Sequence, residues 1–365
     1  MFTKKSYFNR NNKRKKKKIL FLLNTNSYSG AENVVIQIIE NIKDINVGMV
    51  YVSKEGPIRK YLENKKIHFV PIKSMDPIQI RKVICQEKPD IIHANDFRAS
   101  VMAAVSCWKL PIISHLHNNT PWMRKYHLYS FLYLLTSVCY KKILIVSPAI
   151  LEEYVFGNWI KKKTIVINNP INLRSLQEYK QKNIFHNKIN YDIVFLGRLT
   201  WQKDPFRFIG LIVGLKKRIP LLKVAMVGDG ELRKECEIKI EEFHLKENIT
   251  MLGFQENPYQ YLCQGKVLCM PSKWEGFGLA AVEALAFHIP VVAAKVGGLP
   301  FIVDNNCGKL CKTDKEFIEE IYQLLTDKDY YLKKQDNAGK RALELDNIEE
   351  YICNLKQLYN QIIEK

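Results

Sequence analysis

Short aliphatic runs recur along the chain, and most are followed by a segment whose apolar residues return every three or four positions. The first pattern predicts a strand and the second an amphipathic helix. A first series of strands is expected near 19–23, 47–52, 67–70, 91–94, 112–115, 143–146 and 164–167, with helices over 32–42, 78–86, 99–107 and 149–156. A polar, lysine-rich stretch, 173–188, then reads as a linker. A second series follows, with strands near 192–196, 222–227, 249–252, 267–270, 291–294 and 309–311. Its helices fall over 206–218, 230–243, 279–286 and 314–325, and 348–363 forms one more. The strands do not alternate apolar with polar residues, so parallel sheets covered on both faces are expected. Two doubly wound α/β domains would then bind ligand in a shared cleft at their strand ends. No repeat of 20–50 residues is evident.

The expected division is a basic tail over 1–18, a Rossmann-like domain over 19–180, a second over 181–340, and a C-terminal helix in 341–365 packing back toward the first domain. A length of 365 residues suits two domains. With 47% hydrophobic and 25% charged residues, the chain can fill real cores, which excludes disorder as its main character.

The formal charge is +19, and nine of the 56 basic residues lie in the first 18 positions, which hold no acid. The remainder is still basic. Nucleic acid, an anionic membrane surface or a phosphorylated substrate would each suit that balance, and so would a lysine-rich solvated surface. The apolar run Ile19-Leu20-Phe21-Leu22-Leu23 behind the lysines is too short for a signal peptide and reads as a buried strand. No run approaches the ~18 apolar residues of a transmembrane helix. A cytoplasmic protein follows, at most touching the inner face of the membrane. The stretch 128–140 reads first as a buried helix; flanked by Arg124, Lys125, Lys141 and Lys142, it could instead rest on a bilayer. The nine cysteines are scattered, without CxxC, and no metal site is expected of them.

The densest chemistry follows the strand at 267–270. Pro271-Ser272-Lys273-Trp274 leads to Glu275-Gly276-Phe277-Gly278 and a helix from Leu279. Glycines at a strand-to-helix turn admit close backbone approach, and a helix N-terminus offers free N–H groups to a diphosphate. Glu275 in the turn and Glu283 in the helix could face one bound molecule, each carboxylate accepting hydrogen bonds from vicinal hydroxyls. Taken singly, each could equally be a helix-start acid or a solvated glutamate. Gly197-Arg198-Leu199 with Trp201-Gln202-Lys203-Asp204-Pro205 offers a planar cation and a point charge.

These motifs resemble the retaining family four of glycosyltransferases, of GT-B fold, whose hallmark is two glutamates separated by seven residues. The resemblance runs from about residue 19 to 311. It implies an N-terminal acceptor domain and a C-terminal nucleotide-sugar donor domain. Arg198 and Lys203 are then implied to bind the donor diphosphate and stabilise the leaving nucleotide. Glu275, Gly276, Phe277, Gly278, Leu279 and Glu283 are implied to hold the donor. Asp204 stands where glycine is common. The turns Val227-Gly228-Asp229-Gly230 and Leu252-Gly253-Phe254 resemble those around the nucleobase, placing Gly228 and Phe254 among donor contacts. Gly297-Gly298-Leu299-Pro300 resembles a family loop in which Phe301 replaces a usual glutamate. Ser29-Gly30-Ala31-Glu32 resembles the loop by which Gly30 nears the donor phosphates, with Ser29 in place of a glycine. The segment Pro111-Ile112-Ile113-Ser114-His115-Leu116-His117-Asn118 resembles the family segment whose histidine lies near the transferred sugar. Among His93, His115 and His117 the register favours His117, with His115 in the core or behind it. Asn95-Asp96 could line the acceptor side or cap a helix.

The reaction implied is transfer of a hexosyl group from a nucleoside diphosphate sugar to an acceptor hydroxyl, in polysaccharide, lipopolysaccharide or capsule assembly. A glycan or lipid-linked sugar is the implied acceptor. No Asp-x-Asp signature accompanies these donor-site motifs, and neither metal nor other cofactor is expected. A sugar-nucleotide epimerase of similar fold is the alternative enzyme. A nucleic-acid-binding protein is the non-enzymatic one, with only the basic tail in its favour.

Overall fold

The computed structural model describes residues 17–42, 47–182 and 191–364, without the side chains of 180–182. Most of the basic tail therefore lies outside the described residues. Contacts group the described residues into two compact units, one within 17–114 with 139–141 and 356–364, the other within 115–138 and 142–355.

The first sheet has strands β1 (Lys17–Leu22), β2 (Val47–Lys54), β3 (Phe69–Ile72), β4 (Ile91–Asn95), β5 (Ile112–Leu116), β6 (Tyr140–Ile145) and β7 (Thr164–Val166), in the order β3-β2-β1-β4-β5-β6-β7. The second has β8 (Tyr191–Leu196), β9 (Val224–Val227), β10 (Ile249–Gly253), β11 (Gly265–Met270), β12 (Val291–Ala294) and β13 (Gly308–Cys311), in the order β10-β9-β8-β11-β12-β13. The described pairings are parallel. This is the doubly wound order, in which the chain first runs outward one way from the opening strand and then reverses. The reversal in the second sheet falls between β8 and β11, and the loops leaving those two strands carry the densest chemistry. Its core is continuous, from Ile193 and Phe195 of β8 through Phe208, Ile212 and Val267 to Phe317 and Ile321.

Three expectations are corrected. The supposed linker is a helix over Leu173–Lys182; 183–190 lie outside the described residues. An 18-residue helix, Lys328–Leu345, was not expected, because much of its buried face is small or polar: Lys334, Ala338, Gly339 and Ala342. Gly339 is needed there, since a Cβ would lie 2.3 Å from the His288 ring. The stretch 128–140 is a helix over Leu128–Thr136, a short 3-10 turn and the start of β6, and its apolar face is not buried: Leu128, Phe131, Leu135 and Val138 are exposed.

Candidate active site

The loop after β8 and the loop after β11 are tied together. The Lys273 N–H donates to the Gln202 carbonyl at 2.8 Å, and Gln202 Nε2 donates to the Trp274 carbonyl at 3.1 Å. Lys203 Nζ donates to Glu275 Oε1 at 2.5 Å, and the Lys273 ammonium lies over the Trp201 ring. Ser272 Oγ, itself buried, donates to the same oxygen at 2.7 Å. Both bonds fall on Oε1, so Oε2 of this buried carboxylate has no partner among the described residues. A carboxylate held by one oxygen presents the other in a fixed direction. Arg198, in contrast, is exposed, and its guanidinium makes no hydrogen bond or ion pair among the described residues.

Asp204 has φ 52° and ψ 58°, and its side chain accepts from the Arg207 N–H to cap the helix Pro205–Lys216. The left-handed backbone explains why glycine is usual there, and aspartate is among the few side chains that tolerate it.

The glycines serve the backbone more than the sequence suggests. A Cβ on Gly276 would stand 1.8 Å from the His117 carbonyl oxygen, and one on Gly297, with φ 54°, would stand 1.7 Å from that of Glu275. Gly278, with φ 108°, caps the helix Leu279–Ala286. Gly228 is packed likewise, its absent Cβ facing the Gly197 carbonyl at 2.0 Å. These loops cross one another at distances no side chain permits. Phe277 is buried beside Phe301, leaving its backbone for any ligand, whereas Phe254 is an exposed ring.

Glu283 lies in the first turns of the helix Leu279–Ala286, and Oε1 accepts from Tyr259 Oη at 3.1 Å. Burial pushes its carboxyl pKa up to about 7, with Tyr259 and the Lys203 charge holding it back. Tyr259 packs against Tyr179 and Phe287, with ring centroids 5.3 and 5.5 Å away. Sequence reasoning missed Ser272, Tyr259 and Tyr179. The serine could have been found as the hydroxyl three residues before Glu275, but no spacing signalled the tyrosines. Thr200 Oγ1, Trp274 Nε1 and Asn118 Oδ1 are buried without a partner among the described residues, as groups awaiting a ligand or water often are.

Of the histidines, His93 is a core residue hydrogen-bonded to Tyr359 Oη at 2.7 Å. His115 is fully buried and stacks on the half-buried His117, with centroids 4.0 Å apart. Gly30 belongs to the other unit and opens the helix Gly30–Asn41. Ser29 before it is extended, so the missing glycine costs no strain, and its hydroxyl and that of Thr25 both donate to the buried Glu32. Asp96 starts its helix with φ 65°. Among the described residues, no three His, Cys, Asp or Glu side chains are grouped to hold a metal ion, and no cysteine is disulfide-bonded.

Two doubly wound parallel sheets, with cations and paired glutamates in the loops at the reversal point of the second, fit the GT-B class of glycosyltransferases. Residues 28–175 match the family described as Glycosyltransferase Family 4, and residues 177–344 match Glycosyl transferases group 1. The chain belongs to this family, and it is a glycosyltransferase. It is 23% identical over 366 residues to the UDP-Gal:alpha-D-GlcNAc-diphosphoundecaprenol alpha-1,3-galactosyltransferase of Escherichia coli, covering 92% of this chain and 94% of the relative. It is 23% identical to a Campylobacter jejuni alpha-1,4-N-acetyl-D-galactosaminyltransferase acting on a diphosphoundecaprenol-linked saccharide, with 91% and 96% covered. Among solved structures, Anabaena Alr3699/HepE in complex with UDP and glucose superposes with a TM-score of 0.80 at 20% identity, covering 94% of this chain and 99% of that one.

Proposed function

We propose that this glycosyltransferase moves a hexosyl group from a uridine diphosphate sugar to a hydroxyl of a lipid-diphosphate-linked saccharide, retaining the anomeric configuration. The observation that carries this reading is the meeting, at the β8/β11 reversal point, of an unpaired Arg198, a Lys203–Glu275 pair and a half-buried Glu283. The lipid-linked acceptors named for the two bacterial relatives support the second substrate and a role in cell-surface polysaccharide assembly. On this reading 19–180 form the acceptor domain and 181–340 the donor domain, working at the inner face of the cytoplasmic membrane.

Arg198, Lys203 and the N–H groups at Gly278 and Leu279 receive the charge that develops on the departing diphosphate. Those cations supply the neutralisation a divalent metal would otherwise provide, so transfer is proposed to be metal-independent. Glu275 Oε2 and Glu283 accept from donor hydroxyls and fix the sugar and ribose. His117 lies beside the transferred sugar. The acceptor hydroxyl attacks the face the diphosphate leaves, and a phosphate oxygen takes its proton. Phe254 and the Gly228 turn contact the base, and Gly30 the phosphates.

Thermal unfolding with UDP, GDP and ADP, followed by transfer from UDP-hexoses to a synthetic polyprenyl-diphosphate-linked GlcNAc, tests the reading. UDP should stabilise most, and product should form with retained configuration in the presence of EDTA. Conversion of the donor sugar without any acceptor would instead establish the epimerase alternative.

A further inference from the structure

The helix Leu128–Thr136 is inside out. Surface helices of soluble domains turn polar residues outward, but here Ser130, Tyr133 and Ser137 point inward while Leu128, Phe131, Leu135 and Val138 face solvent. The inward hydroxyls are satisfied: Ser130 Oγ donates to the carbonyls of Trp122 and Lys125 at 2.8 and 2.9 Å, and Ser137 Oγ to that of Leu134 at 2.6 Å. Tyr154 Oη donates to the Ser130 carbonyl at 2.6 Å. The inverted orientation is thus built in by specific bonds. Positions 128, 131, 135 and 138 form one stripe, in which Leu135 is 67% and Val138 75% exposed. The stripe continues through Phe131, whose ring centroid lies 4.8 Å from that of Phe156, to Trp159, 79% exposed and bonded through its backbone N–H to the Phe156 carbonyl.

Charge decides what covers this face. Segment 120–166 carries seven lysines and arginines against two glutamates, and Glu153 is already paired with Arg124 at 2.9 Å. Lys161 and Lys162 are exposed beside Trp159, and Lys163 donates to the Ser137 and Val138 carbonyls at 3.0 Å, anchoring the basic cluster to the end of the apolar stripe. A second copy would bring positive charge against positive charge. An anionic bilayer supplies opposite charge and an apolar interior together, and Trp and Tyr favour its interface. A nine-residue helix cannot span a bilayer, and no described helix is long and apolar enough to do so; it suits burial in the plane of the interface.

We infer that the outer face of Leu128–Val138, with Trp159 and Lys161–Lys163, docks the protein on an anionic lipid surface. This rests on the proposed lipid-linked acceptor, and membrane binding can be measured apart from transfer. The full chain should cosediment with phosphatidylcholine vesicles containing 30% phosphatidylglycerol, and far less with phosphatidylcholine alone. Leu135→Asp with Val138→Asp should weaken that binding at least tenfold while the unfolding midpoint and its shift by UDP stay unchanged. Lys161→Glu with Lys162→Glu should weaken it comparably and reduce its salt sensitivity. The N-terminal tail is present in every protein compared, so its charge cancels. Binding by the double-Asp variant equal to the wild type would overturn the inference, as would a wild type that ignores anionic vesicles, or forms a dimer that the Asp pair dissolves without binding vesicles. Absence of any UDP-induced shift would count against the transferase substrate reading and leave the vesicle result standing.

Discussion

Arg198 and Lys203 share one expected role, binding the donor diphosphate, yet the structure separates them. Lys203 neutralises the buried Glu275, so Lys203→Ala should lower stability by about 2–3 kcal/mol as well as abolish transfer, because a buried carboxylate loses its partner. Arg198 supports nothing in the fold. Arg198→Ala should cut turnover about 100-fold with an unchanged unfolding midpoint, which makes it the cleaner probe of charge stabilisation. Glu283 sets a pH dependence. Its folded pKa, raised by burial to about 7, lies above its usual value of 4.5. The folded state therefore holds a proton the unfolded chain releases, and ionisation costs stability as pH rises from 4.5 through 7. Glu283→Gln should match the wild type in stability near pH 4 and exceed it at pH 8. Donor affinity, needing the carboxylate, should rise in the wild type between pH 6 and 8, and calorimetric titration of Glu283→Gln should show that rise gone.

Among the elements, the glycine loops place the side chains that the cations and glutamates need. Gly276→Ala would drive a methyl into the His117 carbonyl, and Gly297→Ala would drive one into the carbonyl of Glu275. Each should destabilise by about 2 kcal/mol or more, read from the denaturation midpoint, and reduce activity beyond what the loss of folded protein explains. The strands and the Glu275–Glu283 spacing were legible beforehand because aliphatic runs and glycine turns are local signals. The helix Leu173–Lys182 was not: Leu173 and Leu176 are its only aliphatic residues, and Tyr179 earns its place by packing on Tyr259 and Phe287, far along the chain. The helix Leu128–Thr136 was legible as a helix and illegible in orientation. Its apolar stripe looks the same whether it faces a core or a lipid.

For the molecule as a whole, residues 356–364 belong with the described part of 17–114. Tyr359 reaches His93 of β4, and Asn360 Oδ1 accepts from Lys17 Nζ of β1 at 3.2 Å. Deleting 356–365 should therefore lower the unfolding midpoint by several degrees, and Tyr359→Phe, losing one buried hydrogen bond, should cost about 1 kcal/mol by chemical denaturation.

The sequence by itself determined the class. Hydrophobic periodicity implied two parallel sheets, and the glutamate pair with its glycine turn, through its resemblance to a glycosyltransferase family, implied a sugar-nucleotide donor site, because each of these signals lies within a short stretch of the chain. Only the tertiary structure decided which cation is free, which carboxylate is buried, what the glycines make room for and which way an apolar helix faces. Those depend on burial and on partners supplied from 70 or more residues away, as Lys203 is to Glu275, and no local pattern carries that information.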